Sequence, residues 1–130
     1  MAGASAALER GDQTADRYRT ISGCSELIRE NSRNAAAFYN RALAYHARGE
    51  YDRAIADYTS TIGLDGGNPN AYNNRGVANG ARGNIDQAIA DYTKAIEIDP
   101  QRADAYTSRG LAYRNKGELD RAIADSTKAI

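Results

Sequence analysis

Apolar side chains recur along the chain at the spacing of an α-helix. Ile55, Tyr58 and Ile62 lie three and four residues apart, and the same residue types return at the same spacing 34 residues later. This spacing places the side chains on one helical face, which must be buried against a neighbour. Gly49 separates this segment from an earlier apolar segment, and glycine readily adopts the left-handed conformation in which helices end. The pattern therefore predicts a helix, a turn at the glycine and a second helix.

This helix-turn-helix unit is repeated through most of the chain. Residues 35–62 match residues 69–96 at 15 of 28 positions, and residues 69–96 match residues 103–130 at 15 of 28 positions. A repeat of this length buries its apolar face by stacking on the next repeat, which is typical of a helical solenoid. We therefore predict an all-α fold without strands. Its repeats are residues 35–68, residues 69–102 and an incomplete third unit, residues 103–130.

The repeat resembles the tetratricopeptide repeat (TPR) family. The family pattern has an aromatic and then a small residue in the first helix, a glycine at the turn, and a small residue in the second helix. We call equivalent positions of the three repeats a column. The aromatic column holds Phe38, Tyr72 and Tyr106, the small column of the first helix holds Ala42, Gly76 and Gly110, and the small column of the second helix holds Ala54, Ala88 and Ala122. The resemblance covers residues 35–130 and implies a right-handed TPR α-solenoid.

Three positions depart from the repeated pattern, and we expect each to weaken packing locally without changing the fold. They are Asn79 where Tyr45 and Tyr113 stand, Ser126 where Tyr58 and Tyr92 stand, and Gly66 where Pro100 stands.

The residues before the first repeat match only half of a repeat. Residues 20–34 align without gaps to residues 54–68, which places Cys24 in the column of Tyr58. We therefore predict that residues 1–34 contain a tail and an N-terminal capping helix that begins near Thr14 or Ala15. We expect residues 1–10 to be frayed.

Composition narrows the functional classes. The chain has 17 Lys and Arg against 17 Asp and Glu, so its formal net charge is zero. A neutral chain lacks the excess of positive charge that proteins binding nucleic acid or anionic membranes usually show, so these partners are disfavoured. One cysteine and one histidine exclude a disulfide framework and a Cys/His metal cluster. We expect no cofactor, no metal, no nucleic-acid partner and no membrane insertion.

No catalytic constellation is present. His46 lacks a Cys or Ser partner at a defined spacing, and Cys24 is read most simply as a small buried apolar residue. We therefore expect a protein that is not an enzyme.

One arginine column and one aspartate column recur in every repeat. The arginines could form a ladder for acidic ligands, or each could pair with an aspartate across helices. Equal numbers and identical recurrence favour structural ion pairs. The residues are Arg41, Arg75 and Arg109, with Asp57, Asp91 and Asp125.

By resemblance to the family, the first helices line a concave groove. Asn40 and Asn74 stand one repeat apart there, and an Asn amide can both donate to and accept from a peptide backbone. The asparagines could equally be ordinary polar groove residues. The expected groove residues are Tyr39, Asn40, Leu43 and His46, then Asn73, Asn74, Val77 and Gly80, then Thr107, Ser108, Leu111 and Arg114.

The resemblance also argues against one mode of peptide binding that occurs in the family. The carboxylate clamp for chaperone C-termini needs two lysines, an arginine and two asparagines. Its columns here hold Tyr39, Leu43, Asn74, Asp104 and Ser108, of which only Asn74 matches. We therefore do not expect this chain to bind chaperone tails.

The sequence predicts a scaffold that binds an extended or helical segment of a protein partner. Two alternatives remain open, a self-associating structural module and a targeting fragment of a larger multidomain protein. After Lys128 the sequence ends in Ala129 and Ile130, so nothing in it covers the apolar face of the last repeat. We expect a homodimer through this uncapped repeat.

Overall fold

The computed structural model describes residues 13–130, and these residues form helices joined by short turns. No strand occurs in this range, which confirms the all-α prediction. The expected fraying of residues 1–10 lies outside the described residues. The helices are α1 (Gln13–Glu30), α2 (Ala35–Ala47), α3 (Tyr51–Leu64), α4 (Pro69–Ala81), α5 (Ile85–Ile98), α6 (Ala103–Lys116) and α7 (Leu119–Lys128).

Each helix packs mainly on the helices next to it in sequence, from α1 on α2 through α6 on α7. This arrangement is the stacking that a solenoid requires. We call α2, α4 and α6 the first helices of their repeats, and α3, α5 and α7 the second helices. Helix α1 packs on α2 as a capping helix would. Helix α1 begins at Gln13, within two residues of the start expected from the sequence.

The turns inside the repeats depend on glycine, as the sequence predicts. Gly49, Gly83 and Gly117 have φ angles of 76°, 82° and 87°. In this left-handed region the absence of a Cβ removes the steric cost. Asn34 and Asn68 cap the first helices of repeats one and two, because their side chains accept hydrogen bonds from the backbone N–H groups of the first turn.

Buried tyrosines fill the spaces between helices. Tyr58 of α3 is fully buried and packs with Ala54 and with Ala78 of the next first helix. Tyr92 occupies the same place one repeat later. A Cβ atom added at Gly76 would lie 2.6 Å from Cε1 of Tyr92, so a larger residue there would force the ring to shift. Small residues in this column allow each tyrosine to bridge two repeats.

The arginine and aspartate columns meet across the helix pairs. Arg41 donates from Nε and Nη2 to the two carboxylate oxygens of Asp57, at 2.7 and 2.8 Å. The same bidentate geometry joins Arg75 to Asp91, at 3.0 and 2.7 Å. It also joins Arg109 to Asp125, at 2.7 and 2.8 Å. In each repeat Nη1 of the arginine donates to a Ser or Thr hydroxyl on the helix that precedes the first helix. These arginines therefore hold neighbouring helices together.

Candidate interaction face on the first helices

Side chains of α2 and α4 meet across the first helices. The Nδ2 atom of Asn74 donates a hydrogen bond to the hydroxyl of Tyr39, with 3.0 Å between the two atoms. Both side chains are half-buried. Burial raises the pKa of the Tyr39 phenol, so it stays a neutral hydroxyl that can also donate. The pair gives the face an uncharged group with both donor and acceptor capacity.

A second polar cluster joins α4 and α6. The carboxylate of Asp104 accepts hydrogen bonds from Nε and Nη2 of Arg102, at 3.1 and 2.8 Å. Asn73 donates to the same carboxylate at 3.4 Å, and Nη1 of Arg102 donates to Oδ1 of Asn70. The guanidinium lowers the pKa of the Asp104 carboxyl, so the pair is ionised and its charges cancel locally.

Arg102 and Asn70 were not among the expected groove residues, although the sequence contains a signal for Arg102. It stands in the column of Asn34 and Asn68, whose side chains cap the following helices. A guanidinium has no acceptor atom and cannot cap in this way. Its side chain reaches Asp104 instead, and a break in the capping column is the feature that could have identified it.

Two of the expected groove residues, Asn73 and His46, pack against neighbouring helices. Asn73 is only 5% exposed, and its Oδ1 has no hydrogen-bond partner among the described residues. Nδ1 of His46 lies 3.1 Å from the hydroxyl of Tyr58, and its ring packs edge-on against Tyr51. His46 therefore packs between α2 and α3, because its side chain is long enough to reach the next helix. Burial lowers the pKa of this imidazole.

Asn40 and Asn74 occupy one column but have different surroundings. Asn40 is exposed and lines a cleft of about 430 Å³ between α1 and α2, together with Leu43 and Cys24. Within residues 13–130 no first helix precedes α1, so Asn40 has no counterpart of the tyrosine that Asn74 contacts. The two amides therefore do not form a ladder of equivalent groups.

The apolar column of the face is uneven. Leu43 and Leu111 are 38% and 47% exposed, whereas Val77 between them packs against the buried cluster of Ala88 and Tyr92. Gly80 lies near the end of α4 and contributes no side chain to the face. The face thus offers two separate apolar positions, one near each end.

The third repeat presents small polar groups. Thr107 is exposed, and its hydroxyl donates to the carbonyl of Ala103. Ser108 is half-buried. Burial raises the pKa of the Tyr92 phenol to about 12. Arg114 is exposed, lies in the last turn of α6 and borders the cleft beside α7.

The last second helix has an exposed apolar side. Leu119, Ile123 and Ile130 are 59%, 65% and 106% exposed and border a cleft of about 370 Å³. The corresponding residues of α5, Ile85 and Ile89, are half-buried and pack around a cluster that includes Ala112 of the following first helix.

In the part of the chain that the structure describes, none of the helices could cross a bilayer, and no group of three or more potential ligands could hold a metal ion.

Sequence profiles of one family match two segments of the chain. A profile described as "Tetratricopeptide repeat" matches residues 35–68, and one described as "TPR repeat" matches residues 80–117. No curated protein matches the chain in sequence.

Solved structures with the same fold include three informative relatives. MamA is 29% identical with a TM-score of 0.84, over 95% of this chain and 70% of its own. The second TPR domain of Spaghetti (RPAP3), bound to the HSP90 peptide SRMEEVD, is 31% identical with a TM-score of 0.73, over 77% of this chain and 93% of its own. The Arabidopsis OM64 TPR domain is 30% identical with a TM-score of 0.72, over 73% of this chain and 78% of its own. Together with the repeated residues and the stacked helix pairs, these matches show that the chain belongs to the tetratricopeptide repeat family.

Proposed function

We propose that this chain is a non-enzymatic protein-interaction scaffold whose first helices bind an extended segment of another protein. The observation that carries this proposal is the row of polar side chains made up of the exposed Asn40, the hydrogen-bonded pair of Tyr39 and Asn74, and Asp104. Two relatives in the same family, the TPR domains of RPAP3, have been solved with a bound peptide. We call this row, with Arg102 and the exposed Leu43 and Leu111, the first-helix face.

The chemistry of the first-helix face favours recognition of a peptide backbone. Amide and phenol groups can both donate and accept, as a backbone requires. The charged members, Arg102 and Asp104, pair with each other and leave no unmatched charge to select a charged ligand. Leu43 and Leu111 add apolar contacts near the two ends.

The first-helix face differs from a site for an acidic tail. The peptide in the RPAP3 structures contains three acidic residues. The groove positions of the carboxylate clamp hold no cation in this chain; they are Tyr39, Leu43, Asn74, Asp104 and Ser108. We therefore propose an uncharged or mixed-charge segment as the ligand.

Selection from a random peptide display library tests this function. The enriched peptide would be titrated into isotope-labelled protein, and nuclear magnetic resonance would follow the amide groups of Asn40 and Asn74 and the methyl groups of Leu111. We expect saturable shifts at all three residues. Enrichment of peptides that shift only residues on the second helices, or no enrichment at all, would contradict the proposal.

Self-association is a second candidate function, favoured by the exposed side of α7. Leu119, Ile123 and Ile130 form a contiguous apolar patch of the kind that marks association sites. We infer that two chains pair through this patch as a two-fold dimer, in which each last repeat covers the other.

A further inference from the structure

An open cleft lies in the middle repeat, away from the first-helix face. It has a volume of about 490 Å³, with Arg75 and Asn79 of α4 at its base. One wall is α3, which contributes Thr59, and the other wall is α5, which contributes Gln87. The cleft coincides with the departure from the repeat at Asn79.

A tyrosine ring occupies the corresponding position in the first repeat. The ring of Tyr45 lies 5.8 Å from the guanidinium carbon of Arg41 and 5.7 Å from that of Arg53. These distances are those of cation–π contacts. The ring is thus held by one arginine of the first helix and one of the second helix.

The third repeat has the same arrangement. The ring of Tyr113 lies 5.8 Å from the guanidinium carbon of Arg109 and 5.6 Å from that of Arg121. In the middle repeat, Asn79 replaces the tyrosine and Gln87 replaces the second arginine. Both members that would fill the space are therefore replaced by shorter, uncharged side chains, while the first arginine is retained.

The exposure of one hydroxyl agrees with a missing ring. Thr59 accepts a hydrogen bond from Nη1 of Arg75 at 3.2 Å. Ser25 and Thr93 accept the same bond in the other two repeats, at 3.1 and 3.2 Å. Ser25 and Thr93 are half-buried, whereas Thr59 is exposed.

We propose that this cleft binds a tyrosine side chain of a protein partner, whose ring stacks on Arg75 as the chain's own tyrosines stack on the equivalent arginines. Arg75 donates to both oxygens of Asp91, and the ring of Tyr72 lies 5.6 Å from its guanidinium carbon, as Phe38 and Tyr106 do in the other repeats. The position of the second ring is the one left for a tyrosine of the partner. Ile55 and Ala90 supply apolar contacts, and the Gln87 amide can hydrogen-bond a phenol hydroxyl.

Size and charge support this occupant over an anion. A cavity of roughly 150 Å³ already binds a benzene ring, and this open cleft is larger. The carboxylates of Asp52 and Asp91 line the cleft, and each is already paired with an arginine, Asp52 with Arg82 and Asp91 with Arg75. An anion would therefore meet two carboxylates and no unpaired guanidinium. A neutral phenol meets neither penalty.

Titration of isotope-labelled protein with N-acetyl-L-tyrosinamide tests this inference. We expect saturable shifts of the Arg75 Nε–H group and the Gln87 side-chain amide. The double variant Asn79→Tyr/Gln87→Arg recreates the arrangement of the other repeats, and we expect it to lose the shift at the Arg75 Nε–H group. The variant Tyr113→Asn/Arg121→Gln opens a second cleft, and we expect it to gain saturable shifts at Arg109.

Three results would overturn the inference. These are no saturable shift in the unaltered protein up to the solubility limit of the probe, shifts that persist in Asn79→Tyr/Gln87→Arg, and equal or stronger shifts with N-acetyl-L-argininamide. If the first variant does not fold, the gain at Arg109 in the second variant decides the question. Both measurements are independent of the first-helix face, so their failure would leave the proposed scaffold function standing.

Discussion

Asn74 donates a hydrogen bond to the hydroxyl of Tyr39 over 3.0 Å, and this bond links two first helices. Asn40, one repeat earlier in the same column, is exposed instead. Identical residues at equivalent positions of the repeat therefore have different roles, because only one of them has a first helix before it in residues 13–130.

This difference predicts unequal effects of the two alanine substitutions on stability. We expect Asn74→Ala to lower the free energy of unfolding by about 1 kcal/mol, since a half-buried hydrogen bond is lost. Asn40→Ala should change it by less than about 0.5 kcal/mol, as is usual for an exposed residue. Denaturant unfolding measures both, and Tyr39→Phe serves as a control that removes the same bond. Equal losses in the two alanine variants would contradict the assignment.

Two glycines of α4 should respond oppositely to substitution by alanine. A Cβ at Gly76 would lie 2.6 Å from Cε1 of Tyr92, and overpacking of this kind costs about 1–3 kcal/mol. At Gly80 the nearest atoms are 3.8 and 3.9 Å away, so Gly80→Ala should stabilise the helix by up to about 1 kcal/mol. Thermal melting of the two variants tests the pair. A Gly76→Ala protein that is as stable as Gly80→Ala would show that the Tyr92 ring moves freely.

The chain's only histidine predicts a pH dependence of stability. Burial lowers the folded-state pKa of His46 below its ordinary value of 6.5, so the unfolded chain binds the proton more readily. The contribution of the neutral imidazole is therefore fully present above pH 6.5 and is lost as the pH falls from there toward the folded-state pKa.

Unfolding in denaturant at a series of pH values checks this dependence. His46→Gln keeps a hydrogen-bonding group near Tyr58 but does not titrate, so its stability should stay flat over the same window. Parallel loss of stability in the unaltered protein and in this variant would assign the effect to other groups.

The exposed side of α7 predicts self-association of the 130-residue chain. We expect light scattering to show an average mass above that of a monomer, rising with concentration. Ile123→Glu should restore the monomer, because it places a charge in the apolar patch. Ala124→Glu is the matched control, since Ala124 is also exposed on α7 but lies outside the cleft that borders the patch. A monomeric unaltered chain, or equal effects of both variants, would contradict association through this patch.

Much of the fold could be predicted from the sequence because it depends on the spacing of residues within short segments and on the 34-residue repeat. The 34-residue repeat, the helical spacing of Ile55, Tyr58 and Ile62, and the glycine at each turn predict where helices form and end. These features depend on which side chains share a helical face and on which backbone angles a residue tolerates, and both are properties of short segments. The arginine and aspartate columns likewise predicted a pairing from recurrence alone.

Tertiary structure decided which neighbour each side chain meets. His46 reaches Tyr58, Arg102 reaches Asp104, and Asn79 leaves space where a tyrosine would lie. A repeat pattern treats the residues of one column as equivalent, whereas the length of each side chain and the residues on adjacent helices differ from repeat to repeat. Packing distances and the presence or absence of a neighbouring helix set these contacts, and neither is contained in the period of the sequence.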